Sequence, residues 1–193
     1  MRGMFFECSE LLSLNISNFD TSLVTNMEYL FQNCKKLTSF DILNFNTSSV
    51  HSMSYMFAGC EYFTSFNLSY FDFSSLNNIS YMFSNCTNLS WFYMPYLDTY
   101  NVTNMSGLFS GCTRLNSLNL SNFDTRSVED MSNMFSRCLS LKYFEAPNFD
   151  TSLVKNMEYM FQSCSSLENL DISNFITSSV TTMSHMFSSC SSL

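Results

Sequence analysis

Apolar and polar residues recur along this chain with a period of 26 and no insertion or deletion. The period runs cysteine to cysteine, through Cys8, Cys34, Cys60, Cys86, Cys112, Cys138, Cys164 and Cys190. Positions are counted as offsets from the preceding cysteine. Position 3 is Leu in every copy except at Phe63. Position 6 (Leu14, Phe40, Phe66, Phe92, Leu118, Phe144, Leu170) and position 8 (Ile16, Ile42, Leu68, Met94, Leu120, Ala146, Ile172) are apolar. They alternate with neighbours at 5 and 7, which is the period of a half-buried strand. Position 11 is Phe except at Leu97, a turn-like stretch such as Asp20-Thr21-Ser22 follows, and position 16 is Val or Leu.

The second half of the unit has helical spacing. Apolar residues fall at 19, 22 and 23, as in Met27, Leu30 and Phe31, the i, i+3, i+4 pattern of one helical face. Position 18 is Asn26, Ser52, Asn78, Asn104, Asp130, Asn156 or Thr182, all residues that cap a helix start. Position 25 holds Asn33, Gly59, Asn85 and Gly111, which tolerate the left-handed conformation at a helix end. The expectation is an α/β solenoid with one short parallel strand and one short helix of about two turns per 26-residue unit. Nine inward columns per unit cannot alone offset the backbone entropy of ordering it, so stability belongs to the stack.

Residues 1–193 read as a single repeat array of about seven complete units with no evident caps, expected to be a fragment of a longer array. The chain is 46% apolar, enough for a core, and only 12% charged. A net charge of −8 and eight scattered basic residues argue against a nucleic-acid partner. No apolar run reaches the roughly 18 residues of a membrane span.

The cysteines follow Phe at 23 and precede Leu at 3, so they are expected as a reduced, buried column. They lack the close pairs of a zinc site. Position 12 carries Asp20, Asp72, Asp98, Asp124 and Asp150, expected to bond their own turn backbone. His51 and His185 lie on different columns without a partner motif, and no catalytic residue, metal site or cofactor is expected.

The columns resemble the bacterial surface protein 26-residue repeat, the BspA-like leucine-rich repeat family. The resemblance is carried by LNLSNFDTRSVEDMSNMFSRC (Leu118 to Cys138) and LDISNFITSSVTTMSHMFSSC (Leu170 to Cys190) and covers the whole chain in register. It implies a leucine-rich-repeat-like solenoid, displayed on a cell surface or secreted, that binds a protein ligand such as a host matrix or cell-surface protein. Residues 18–34 nearly match 148–164, five units on, which points to a block duplication.

The outward strand positions are mostly small and polar. Trp91 and Tyr93 interrupt that background, with Tyr96, Tyr70 and Tyr143 nearby, and these five form the candidate binding patch. The leading expectation is a non-enzymatic protein-binding or adhesion module using this face. The alternative is a structural spacer or stalk that displays another domain.

Overall fold

A computed structural model describes residues 1–193 apart from 42–43, 67, 69, 94–98 and 147, and only the backbone of Phe40 and Tyr93. Met94, Tyr96 and Asp98 of the sequence columns therefore lie outside the described residues, as does Ile42.

Six three-residue strands occupy positions 5–7 among the described residues: β1 (Ser13–Asn15), β2 (Ser39–Asp41), β3 (Trp91–Tyr93), β4 (Ser117–Asn119), β5 (Tyr143–Glu145) and β6 (Asn169–Asp171). They pair in parallel as β1–β2, β3–β4 and β5–β6, with residues of equal phase opposite one another: Ser13 with Ser39, Phe92 with Leu118, Glu145 with Asp171. A second ladder, at position 18, is unbroken: Asn26, Ser52, Asn78, Asn104, Asp130, Asn156 and Thr182 bridge in parallel from coil to coil. Each 26-mer is thus one coil stacked on the next.

The expected helix is absent; a staircase of turns runs through positions 19–26 instead. The Leu30, Gln32 and Cys34 N–H groups bond carbonyls three residues back, at Met27, Tyr29 and Phe31. The N–H groups of alternate residues leave the coil: Met27, Tyr29, Phe31 and Asn33 donate in turn to the Ser52, Ser54, Met56 and Ala58 carbonyls of the next coil. The backbone turns by entering the left-handed region twice per coil, at position 21 (Tyr29, Tyr55, Tyr81, Gly107, Asn133, Tyr159, His185) and at position 25 (Asn33, Gly59, Asn85, Gly111, Arg137, Ser163, Ser189). A residue with φ near +58° in the third place of a four-residue turn, as at Tyr29, cannot continue a right-handed helix. The turns win because stacking gives every second N–H a partner in the next coil, which a helix would forgo.

The apolar columns still point inward. Met27, Leu30, Phe31, Cys34 and Leu37 are fully buried, and the same phases are buried in the coils that follow as far as Leu167; in the last coil Met186 stays buried while Met183, Phe187 and Leu193 are exposed. Position 23 forms one continuous ring ladder, Phe5–Phe31–Phe57–Phe83–Phe109–Phe135–Phe161–Phe187, with centroids 5.5–6.0 Å apart. Offset stacking of this kind adds to the area buried.

The cysteines are free thiols, buried from Cys34 to Cys164, with Cys190 half-buried and Cys8 exposed. Each from Cys34 onward donates its thiol to the position-23 carbonyl of the preceding coil, as Cys60 does to Phe31 (3.2 Å) and Cys112 to Phe83 (3.1 Å). The column therefore ties coils together without a covalent bond.

Candidate binding face

Among the described residues, position 5 side chains and their position 7 neighbours point away from the core. In β5 the pattern is exposed–buried–exposed for Tyr143, Phe144 and Glu145. Trp91 is 50% exposed, Tyr143 58% and Tyr70 58%. Trp91 opens β3 and lies in register with Ser117. Tyr143 has the same phase in the coil after Ser117; β4 and β5 are not paired, but the Asp130–Asn156 bridge stacks their coils, so the two rings stand two coils apart with a serine between. Tyr70 sits at position 10 of the coil before Trp91, a coil with no strand among its described residues. Tyr93 closes β3, where its backbone pairs with Asn119. Of the five candidates, the structure thus brings Trp91 and Tyr143 onto one face with Ser117. It leaves Tyr70 at position 10, away from the position-5 column, the Tyr93 side chain undescribed and Tyr96 outside the described residues.

Glu145 and Asp171 are cross-strand neighbours on this face. Asp171 accepts hydrogen bonds from the Ser173 backbone N–H (3.0 Å) and hydroxyl (2.7 Å), which hold its carboxyl below the usual carboxylate range. A concavity of about 260 Å³ opens between β5 and β6, lined by Tyr143, Glu145, Asn169 and Asp171.

Five ion pairs occur among the described residues. Four join successive coils: Arg2–Glu28, Lys35–Glu61, Lys36–Glu10 and Lys155–Glu129; Arg126–Asp124 lies within one coil. None reaches Glu145 or Asp171.

A second aromatic column was not anticipated. Position 21 stacks Tyr29 on Tyr55 (5.2 Å) and Tyr55 on Tyr81 (4.8 Å), with Arg2 over Tyr29 at one end. Tyr81 lies over Gly107, whose bare Cα leaves room for the ring. The signal was the recurring Tyr in MEYLF, MSYMF and ISYMF, a residue that the helical reading had no use for.

The Asp column behaves as the sequence indicated: Asp20, Asp72 and Asp150 accept the Ser22, Ser74 and Ser152 N–H groups. His51 and His185 are exposed, and His185 stacks on Tyr159 at 5.2 Å.

Parallel coils with equal-phase residues in register and an inward leucine column define a leucine-rich-repeat solenoid. A leucine-rich repeat protein from Bacteroides ovatus has the same fold, at a TM-score of 0.54 and 21% identity, over 94% of this chain and 44% of that one. The chain thus spans less than half the length of that protein. A T. pallidum leucine-rich repeat protein, TpLRR, is also similar, at a TM-score of 0.43 and 21% identity, over 72% of this chain and 69% of that one. The leucine-rich-repeat kinship read from the columns holds. The chain belongs to the family described as Mycoplasma protein of unknown function, DUF285, whose profile matches residues 1–94 and 94–193. A comparison with curated proteins finds no match. No helix among the described residues is long and apolar enough to cross a membrane.

Proposed function

We propose that this array is a non-enzymatic protein-binding module, displayed on a cell surface or secreted, that captures its partner on the exposed strand face. The carrying observation is the pair of half-exposed rings, Trp91 and Tyr143, set two coils apart in a position-5 column that is otherwise serine or asparagine. Large rigid aromatics give contact area at low entropic cost, which is why they anchor interfaces. Host matrix or cell-surface proteins fit as partners by the family resemblance. The spacer reading draws on a different observation: the position-18 ladder runs without a break from Asn26 to Thr182, as a stiff stalk requires.

Surface plasmon resonance against purified extracellular-matrix glycoproteins separates the two. A binding module loses about tenfold or more in affinity on Trp91→Ser with Tyr143→Ser, while its thermal unfolding is unchanged. Affinity that is indifferent to both substitutions removes this face as the site, and an array that binds none of the panel favours the stalk.

A further inference from the structure

We propose that the strand face accepts an arginine side chain of the partner protein, seated between Trp91 and Tyr143 above Ser117 and facing Glu145 and Asp171. This rests on the binding-face reading above and names the chemistry that the face selects.

The spacing comes first. Trp91 pairs in register with Ser117, and Tyr143 occupies the same phase in the next coil; β4 and β5 are not paired with each other, and the three coils are held in succession by the Asn104–Asp130–Asn156 ladder. Coils joined by such a parallel ladder rise about 4.8 Å each, so two coils set the two ring-bearing Cα atoms about 10 Å apart. A flat group touching a ring on each side needs about 7–8 Å between ring planes, two van der Waals contacts of 3.5–4 Å. One planar layer fits, and a serine floor leaves the slot open.

Charge selects among flat groups. Side chains at positions 5 and 7 of one strand share a face about 6.6 Å apart, which sets Glu145 beside the slot. Asp171 is its direct cross-strand partner, and like charges in that arrangement repel. No ion pair among the described residues relieves them. The nearby cations, Lys142 and Arg114, sit at positions 4 and 2, toward the opposite end of the strand segments. A cation between the rings and the two carboxylates lowers the repulsion and gains cation–π contact. Guanidinium fits better than ammonium, because it is planar, stacks on rings and offers a fork to carboxylates.

The chain already makes this contact twice on its own surface: Arg2 lies over the Tyr29 ring (5.3 Å to the centroid) while paired with Glu28 at 3.2 Å, and Arg126 repeats it. Arg126 lies over the Tyr100 ring (5.4 Å to the centroid) while its guanidinium pairs with Asp124 at 2.9 Å. The slot offers the same ring and carboxylate set without its arginine.

The test is an amide and indole NMR titration of the full chain at low ionic strength. The probe is the flexible peptide Gly-Ser-Arg-Gly-Ser-Arg-Gly-Ser, and its control has both arginines replaced by citrulline, which is flat, isosteric and neutral. The arginine peptide should shift the Trp91 indole N–H and the amides of Ser117, Tyr143 and Glu145. It should bind about tenfold or more tightly than the citrulline peptide, an advantage lost in Glu145→Gln with Asp171→Asn. Equal binding of the two peptides overturns the proposal, as do shifts that spread over the acidic surface and leave the indole unmoved. Matrix-protein capture that is lost with Trp91→Ser and Tyr143→Ser but kept with Glu145→Gln and Asp171→Asn leaves the binding face standing and removes the arginine.

Discussion

Asn119, Asp124 and Asp130 each accept the backbone N–H two residues on, from Ser121, Arg126 and Ser132. Asn15, Asp20 and Asn26 do the same in the first coil. Three short side chains therefore turn one coil, each by an Asx turn. This explains why the chain is rich in Asn-x-Ser sequons: the Asn turns, the middle residue is buried and the Ser donates. Thr at position 13 is the other structural polar residue. Thr125 is buried, donates its hydroxyl to the Asp150 carbonyl (2.9 Å) and accepts the Asp150 N–H (2.8 Å). Thr125→Val keeps the shape and strands both groups, so urea unfolding should show a loss of about 1–3 kcal/mol. No loss would mean that water replaces the hydroxyl. The thiols give a pH dependence. Burial raises Cys34 to about 11 and Cys112 and Cys164 to about 12, and lifts Cys60, Cys86 and Cys138 as well. An unfolded thiol ionises near about 8.5. Above that pH the unfolded chain releases protons that the folded chain retains, so stability is full below about 8.5 and falls as pH rises toward the folded values. Urea midpoints from about pH 7 to 10 should decline, and a chain with Cys60, Cys86 and Cys112 changed to Ala should decline less. In the folded chain at neutral pH, a thiol reagent should modify Cys8 fast, Cys190 slowly and the buried six only on unfolding.

At the scale of elements, strand and turn staircase share one coil but were not equally legible. Alternation at positions 5–8 gave the strand directly, and β1 to β6 fall on it. The apolar set at 19, 22 and 23 was read correctly as buried and wrongly as helical, because two successive turns bring the same i, i+3, i+4 residues to one side. The deciding signal was position 21, where Gly3, Gly107 and Asn133 already favoured a left-handed backbone. Tyr29, Tyr55, Tyr81 and Tyr159 hid it, since Tyr adopts that region only at a cost of about 1–2 kcal/mol. Ring stacking between coils offsets part of that strain. At Gly107 the column has no ring, and a Cβ there would run into Tyr81. Gly107→Ala should therefore destabilise the array by about 1–3 kcal/mol, and Tyr81→Ser in the same chain should return part of the loss in a double-mutant cycle. Strict additivity of the two would place the cost in the backbone alone.

Over the whole molecule, coils are joined by the position-18 ladder, the Phe ladder, the thiol-to-carbonyl column and ion pairs one period apart, such as Lys155–Glu129 at 2.7 Å. All four follow from one fact visible in the sequence, that equal phase means contact. The same fact made Trp91 and Tyr143 legible as outward, since position 5 is the outward phase of the strand. The slot was harder to see. It depends on Ser117 being one coil from each ring and on Glu145 meeting Asp171, relations between coils that single columns do not display. The rigidity of the stack is what would hold such a slot at fixed width. A stack of successive coils requires that separation along the array grow with the number of periods and with nothing else. Pulsed electron–electron resonance measures this directly, with Cys8 and Cys190 changed to Ser and nitroxides placed at Ser22 paired in turn with Ser74, Ser152 or Ser178. These sites share a phase and lie two, five and six coils from Ser22, so the label separations should rise in steps of about 5 Å per coil, to about 10, 24 and 29 Å. Separations that fail to rise in that order would contradict the stacking of successive coils.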